Sequence, residues 1–268
     1  MPPACTNTGS AVRSRQNDRV PVDAVVLLHG QPSTSAVWLA VRDRLGGLPV
    51  LMPDRPGYGT NPEPATDYPG NVAWLRAVLD RSRMDRVVLA GHSWAGGVAV
   101  LAAARHPDRV AGVALVASIG PGCLRWHDHP LAWPVTGEVA ALVGLRAAGR
   151  VYAYQVRRLL DRHVSVADHG YVHMELSAQF RRPVWRSFLA EQRALVRQLP
   201  MLGDALGEVR VPTTVLAGTR DSTIPRRCPE RLVGAIPGAT LRHLTGAGHE
   251  LPLQRPDEVA TAIRRLAA

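Results

Sequence analysis

Residues 87–97 read VVLAGHSWAGG, four apolar residues running into Gly91-His92-Ser93, with Ala95, Gly96 and Gly97 packed immediately behind a tryptophan. A short, β-branched apolar run bounded by glycine predicts a strand buried on both faces, and the Ala/Val-rich segment that follows predicts a helix. Ser93 therefore stands at a strand-to-helix corner. A corner that sharp brings backbone against backbone, so its flanks tolerate only small side chains and a serine at its tip is pushed outward, where a substrate can reach it.

Outward from this corner the same alternation repeats. Strands are predicted at 23–30 (DAVVLLHG), 49–54 (PVLMPD), 86–91 (RVVLAG), 109–118 (RVAGVALVAS), 211–218 (VPTTVLAG) and 239–244 (ATLRHL). Helices are predicted at 35–46, near 71–83, at about 94–105, near 226–236 and near 256–267. The prolines and glycines of RPGYGTNPEPATDYPG (55–70) argue against regular structure until the second of these helices. Strands separated by helices require parallel crossovers, so the fold class is α/β, a doubly wound, mostly parallel open sheet. Between about 121 and 208 the alternation gives way to amphipathic helices carrying Trp126, Trp133, Tyr152, Tyr154, Trp185 and Phe188. This segment enters after the strand at about 109–118, at the edge where open α/β sheets bind ligands, and is expected to be a helical lid. The chain thus divides into a core of 1–120 and 209–268 and a lid of 121–208.

Composition narrows the function classes. At 268 residues and 46% hydrophobic, the chain can bury one large core. Its formal net charge is +10 and it has no lysine, so all 32 basic residues are arginine. These arginines are scattered among 22 acids and not clustered on one arm, which argues against a nucleic-acid partner. Cys5, Cys123 and Cys228 are odd in number, far apart and form no CxxC pair, so neither a zinc site nor a disulfide framework is expected. The N-terminal MPPACTNTGSAVRSRQND lacks the apolar stretch of a signal peptide. LAWPVTGEVAALVGLRAAG (131–149) is too short and too charged to span a bilayer. A soluble protein in a reducing, cytoplasmic setting follows.

A serine nucleophile needs a base within hydrogen-bond reach, and the base needs a third group to hold its tautomer. Asp221 lies in GTRDSTIP (218–225), just past a predicted strand end. His249 lies in TGAGHELPLQRPDEV, a glycine-flanked loop ahead of the last helix. Both leave the same sheet edge as Ser93. Taken together, HG at 29–30, DRPGYG at 54–59, GHSWAG at 91–96, GTRDSTIP at 218–225 and GAGHELP at 246–252 resemble the α/β-hydrolase superfamily, with its order Ser…Asp…His. The resemblance covers roughly 20–120 and 208–268 and leaves the insertion unmatched.

By that resemblance Ser93 is the nucleophile, His249 the general base and then acid, and Asp221 the residue that orients His249. The oxyanion hole would be formed by the backbone N–H groups of Trp94 and Gln31. No metal or organic cofactor is implied. Three features depart from the family's pattern. The small residue two after the serine is Ala95, where glycine is common. The nucleophile is serine although Trp94 and HGQP (29–32) are similar to haloalkane dehalogenases and epoxide hydrolases, which need a carboxylate. Too few residues precede 23 for the family's leading hairpin, with GSAVRSRQ the best remnant of it.

Other residues have duller readings. His29 and His92 are expected to brace their own loops. His106 sits at a helix end, which favours a cation. His127, His129, His163, His169 and His173 match no metal-ligand spacing and are expected at the surface. Asp54 is a rival acid but lies upstream of the serine. The lid aromatics line a pocket or form lid core, and the excess of arginines over acids there suits an anionic substrate or a solvated helix face equally. A bulky Trp94 at the pocket wall would favour a small or medium hydrophobic acyl group in a small-molecule ester, thioester or lactone substrate. The same residues would also serve carbon–carbon bond hydrolysis or cofactor-free perhydrolysis, and a ligand receptor with little turnover is the alternative of another class. A homodimer stays open alongside a monomer.

Overall fold

A computed structural model describes residues 22–144, 154, 158 and 184–268. Cys5, Tyr152, His163, His169, His173 and the GSAVRSRQ remnant lie outside the described residues.

Six strands form one sheet: β1 (Ala24–Leu28), β2 (Val50–Leu51), β3 (Val87–His92), β4 (Val110–Val116), β5 (Thr213–Gly218) and β6 (Thr240–Leu244). Their spatial order is β2-β1-β3-β4-β5-β6 and every pairing is parallel. The chain steps from β1 outward to β2, then returns to the other side of β1 with β3. The winding direction therefore reverses between β1 and β3, and open α/β sheets place their crevice outside the carboxyl ends of strands at such a point.

Alternation of side chains along the strands builds two cores. Val26, Leu28, Leu89, Val113 and Leu115 face one side, where they meet α2 (Tyr68–Arg81), α3 (Ala95–Arg105) and, later in the chain, a helix at Val184–Leu206 and another at Arg227–Ala235. Val25, Leu27, Val88, Ala90 and Val116 face the other, against α1 (Leu39–Arg42), a turn of helix at Leu251–Gln254 and the closing helix Pro256–Ala267. Each Val or Leu so buried contributes about 1.5–3 kcal/mol over leaving it in water. Because both faces are covered, the strands read as continuous apolar runs. With α4 at Asp128–Ala132, the later elements among the described residues are labelled α5 (Val184–Leu206), α6 (Arg227–Ala235), α7 (Leu251–Gln254) and α8 (Pro256–Ala267).

The chain between β4 and β5 adds no strand among the described residues. It contributes α4, helical turns at 136–144 and α5, whose Ala194, Leu195 and Leu202 are buried against the core. Among the described residues no helix is long and apolar enough to cross a membrane.

Three boundaries differ from the sequence reading. β2 is two residues long, not six, because it is an edge strand and Pro53, just beyond it, offers no N–H to a ladder. The helix expected at 35–46 is a 3-10 turn (Ser35–Trp38) followed by the single turn of α1. α2 begins at Tyr68, ahead of the expected 71, because Asp67 caps it: its Oδ1 accepts the Gly70 N–H at 3.0 Å, and Pro69 falls in the first turn, where a missing N–H is harmless. The other Asp67 oxygen accepts from Gln198 Nε2 of α5 at 2.7 Å. Asp67→Ala is expected to lower the unfolding free energy by about 1–2 kcal/mol, measured by urea denaturation, while Asp67→Asn, which keeps the cap and gives up only the acceptor for Gln198, loses less. Equal losses for the two would show that the carboxylate charge or the Gln198 bond, not the cap, is what Asp67 contributes.

Candidate active site

The backbone of Ser93 has φ of +53°, a left-handed conformation uncommon for a side chain with a Cβ, and it persists because its own N–H and carbonyl are both tied down. The Ser93 N–H donates to the Val116 carbonyl at the end of β4 (2.9 Å), and the Ser93 carbonyl accepts from Gly96 N–H (3.0 Å) and Ile119 N–H (3.2 Å). The glycines around it answer to close approach. A Cβ on Gly91 would stand 2.6 Å from the Ala95 carbonyl, and one on Gly96 would overlap the Ser118 hydroxyl. Ala95 is fully buried, so its methyl is accommodated.

Asp221 follows β5 and His249 precedes α7, and both meet Ser93. Asp221 Oδ1 accepts the N–H groups of Thr223 (2.8 Å) and Ile224 (2.9 Å), and Oδ2 lies 2.9 Å from His249 Nδ1. Burial alone would raise the Asp221 pKa, but the hydrogen bond and charge of His249 and the two backbone donors outweigh it and hold the carboxyl below its ordinary value. An ionised carboxylate only accepts, so Nδ1 carries the proton and Nε2 is left to accept from the Ser93 hydroxyl, 2.9 Å away. For His249 burial lowers the pKa, and the Asp221 hydrogen bond with the charges of Glu250 and Asp221 raises it further, so the net shift is upward. His92 Nε2 donates to the His249 carbonyl at 3.1 Å and braces that loop, while burial keeps its own pKa low.

Gly30 brings the loop after β1 against the serine: a Cβ on it would lie 2.9 Å from Ser93 Cβ. The backbone N–H groups of Gln31 and Trp94 both emerge here, and neither donates to an acceptor among the described residues. Two N–H groups unpaired among the described residues, beside a hydroxyl hydrogen-bonded to a histidine, suit a developing oxyanion.

The Trp94 side chain departs from expectation. It is fully buried and does not form a pocket wall: its ring stacks on Tyr68 with centroids 4.1 Å apart, the Arg55 guanidinium lies 4.7 Å from its centroid, and its N–H donates to the Glu191 carbonyl (3.1 Å). Held in the core in this way, Trp94 gives no reason to expect a small or medium acyl group. Asp54 is structural, accepting from Ser35 N–H and from the Thr60 N–H and hydroxyl. His106 is the C-cap of α3, and His127 and His129 are exposed. Trp126 and Trp133 are 83% and 59% exposed, so neither is packed as core.

The sequence reading missed a buried polar network beside the serine. Arg55 and Glu191 are both fully buried and ion-paired, and the Tyr58 hydroxyl donates to Glu191 Oε2 at 2.7 Å. A signal for it existed: Glu191 and Gln192 fall in helical phase with the buried Ala194 and Leu195, polar residues at positions where a stripe should be apolar. Gln192 in turn donates to Asp128 Oδ1 (2.9 Å) and accepts from Gln31 Nε2 (3.2 Å). Among the described residues, His92, His249 and Glu250 are the group whose ligand atoms converge, within 4.8 Å. Both His249 nitrogens are engaged by Asp221 and Ser93, so this arrangement leaves it no lone pair for an ion.

The chain has counterparts among known proteins. The profile of the alpha/beta hydrolase family matches residues 25–262. Over 246 residues the chain is 29% identical to a pimeloyl-(acyl-carrier protein) methyl ester esterase of Aromatoleum aromaticum, spanning 89% of this chain and 96% of the relative. It is 31% identical over 252 residues to Lipase LipV of Mycobacterium tuberculosis, spanning 90% of this chain and 91% of that one. Among solved structures, Cfl2 of Burkholderia cenocepacia superposes with a TM-score of 0.75 at 23% identity, over 93% of this chain and 90% of that one, a likeness of fold. With the profile spanning nearly the whole sheet and the motifs in place along it, the chain belongs to the alpha/beta hydrolase family.

Proposed function

We propose that the protein is a serine hydrolase that cleaves the carbonyl of a small-molecule ester, thioester or lactone through an acyl-enzyme. The observation that carries this reading is the unbroken line from Asp221 through His249 to the Ser93 hydroxyl, at 2.9 Å for each link, ending beside the N–H groups of Gln31 and Trp94, which are unpaired among the described residues. The relatives named as a methyl ester esterase and a lipase support ester chemistry.

In this mechanism Ser93 Oγ attacks the carbonyl carbon while its proton passes to His249 Nε2. The carbonyl oxygen becomes an oxyanion that accepts from Gln31 and Trp94, donors fixed before the charge appears. Collapse breaks the bond to the leaving group, which takes the proton from His249. Water then repeats the cycle on the acyl-Ser93 ester, with His249 again first base and then acid, and releases the carboxylic acid. Asp221 keeps the imidazole in the required tautomer and stabilises its cation. In this reading the described parts of the insertion, which leave the sheet after β4 and return to it before β5, belong to a lid at the carboxyl edge of the strands.

Ser93→Ala and His249→Ala are each expected to lower kcat for an activated aryl ester by about 10⁴-fold or more, with Asp221→Asn less severe. Folded variants with unchanged turnover would overturn the reading. The pH dependence has a definite sign. Only neutral His249 can accept the serine proton, and its pKa is raised above the ordinary 6.5, so kcat/KM should fall as pH drops through an apparent pKa above 6.5. The pKa of His92 is shifted the other way, so the limb belongs to His249. Rates between about pH 5 and 9 check this, and a limb at or below the ordinary histidine value would contradict it.

A further inference from the structure

The Gly30–Gln31 peptide is the place where the buried network meets the site. The Gly30 carbonyl accepts from Arg55 Nη2 at 3.0 Å and from His29 Nδ1 at 2.8 Å. The His29 carbonyl accepts from Arg55 Nε at 2.7 Å, and His29 Nε2 accepts the Arg55 backbone N–H at 2.9 Å. That last bond leaves Nε2 unprotonated and puts the ring proton on Nδ1, aimed at Gly30. Burial, with the charge of Arg55, pushes the His29 pKa down to about 3, so the ring stays neutral and keeps this tautomer.

A planar trans peptide holds its C=O and N–H antiparallel, and the 30–31 bond is trans. Two donors fastened to the Gly30 oxygen therefore fix the direction of the Gln31 N–H on the opposite side of the same plane. A guanidinium on that oxygen also polarises the peptide, which strengthens Gln31 as a donor. The second proposed oxyanion donor belongs to Trp94, whose ring lies against the same guanidinium and whose indole N–H is held by the Glu191 carbonyl. Glu191 stands on α5, the helix that returns the chain from the insertion to β5, and its carboxylate is the counter-charge that keeps Arg55 in place.

We infer that Arg55 is a positioning residue for the oxyanion hole, clamped by Glu191 so that seating of α5 and orientation of the Gln31 N–H form one unit. This rests on the serine hydrolase reading above. The competing account is that the pair merely anchors α5. The two accounts separate because a buried ion pair can often be exchanged for uncharged groups of similar volume without loss of stability, whereas removing one partner strands a buried charge.

The test is therefore the neutral double variant Arg55→Met/Glu191→Gln, with Arg55→Lys as the conservative single change. Each is assayed for Tm, for kcat and KM on an aryl ester, and for affinity toward an alkyl boronic acid, whose tetrahedral adduct on Ser93 places an oxygen in the hole. The double variant is expected to fold with a Tm near that of the wild type, to lose about 30-fold in kcat, less than deletion of an oxyanion donor, and to lose boronate affinity by a like factor with KM little changed. Arg55→Lys should recover part of both losses, since one ammonium can reach Gly30 or Glu191 but not span the two as the fork does. Folded variants with wild-type kcat and boronate affinity, or with KM alone raised, would overturn the inference and leave the hydrolase reading standing. Should the double variant fail to fold, Arg55→Lys decides by the same ratio of kcat to KM. A folded wild type that neither turns over an ester nor binds the boronate would overturn both readings.

Discussion

The hydrogen bond from Ser93 N–H to the Val116 carbonyl is the constraint on which the site depends. It ties the residue after β3 to the last residue of β4, and with the Ile119 N–H on the Ser93 carbonyl it holds a left-handed backbone between a strand and a helix. A serine so fixed cannot relax into either element, and the direction of its Cα–Cβ bond follows from the sheet itself. Everything else arrives at that hydroxyl on other loops. His249 comes from beyond β6, Asp221 from beyond β5 and Gly30-Gln31 from beyond β1, all at the carboxyl edge of parallel strands. The winding reverses between β1 and β3, which opens the crevice where these loops can converge.

A second theme is the treatment of buried charge. Asp221, Arg55 and Glu191 are all withdrawn from water, yet each is met by opposite charge or by aimed N–H groups. Burial raises the Glu191 pKa, against the pull of the Arg55 charge and hydrogen bonds. A buried pair of this kind is weak evidence for stability, because desolvation offsets most of the attraction. Its location is more telling. The same guanidinium touches the carbonyls of His29 and Gly30, the ring of Trp94 and the carboxylate of α5, so it joins the insertion's return helix to the loop beside the serine.

The strands were legible because burial on both faces writes them as apolar runs, and the corner at Ser93 was legible because close backbone approach excludes all but small residues on its flanks. Asp221 and His249 stood out as candidates beside Ser93 because a serine needs a base and the base an anchor, while their order along the chain was read from the resemblance to the family. The misses have physical causes as well. A two-residue edge strand carries too little pattern to delimit, and the start of α2 was set by the Asp67 cap against a proline that looked like a breaker. Trp94 was misjudged because sequence cannot tell whether a side chain beside a nucleophile points into a cleft or back into the core. Arg55 and Glu191 stand 136 residues apart, and a long-range pair of charges has no local signature beyond a polar residue in an apolar stripe.

The central claim is that Ser93 is an armed nucleophile facing a formed oxyanion hole. Intact-protein mass after brief exposure to a fluorophosphonate tests it most directly, since the reagent needs the activated hydroxyl and its phosphoryl oxygen needs the hole. The account predicts one adduct per chain, mapped to Ser93 and absent from folded Ser93→Ala and His249→Ala proteins. A folded wild-type protein that stays unlabelled, or that labels at another residue, would contradict it.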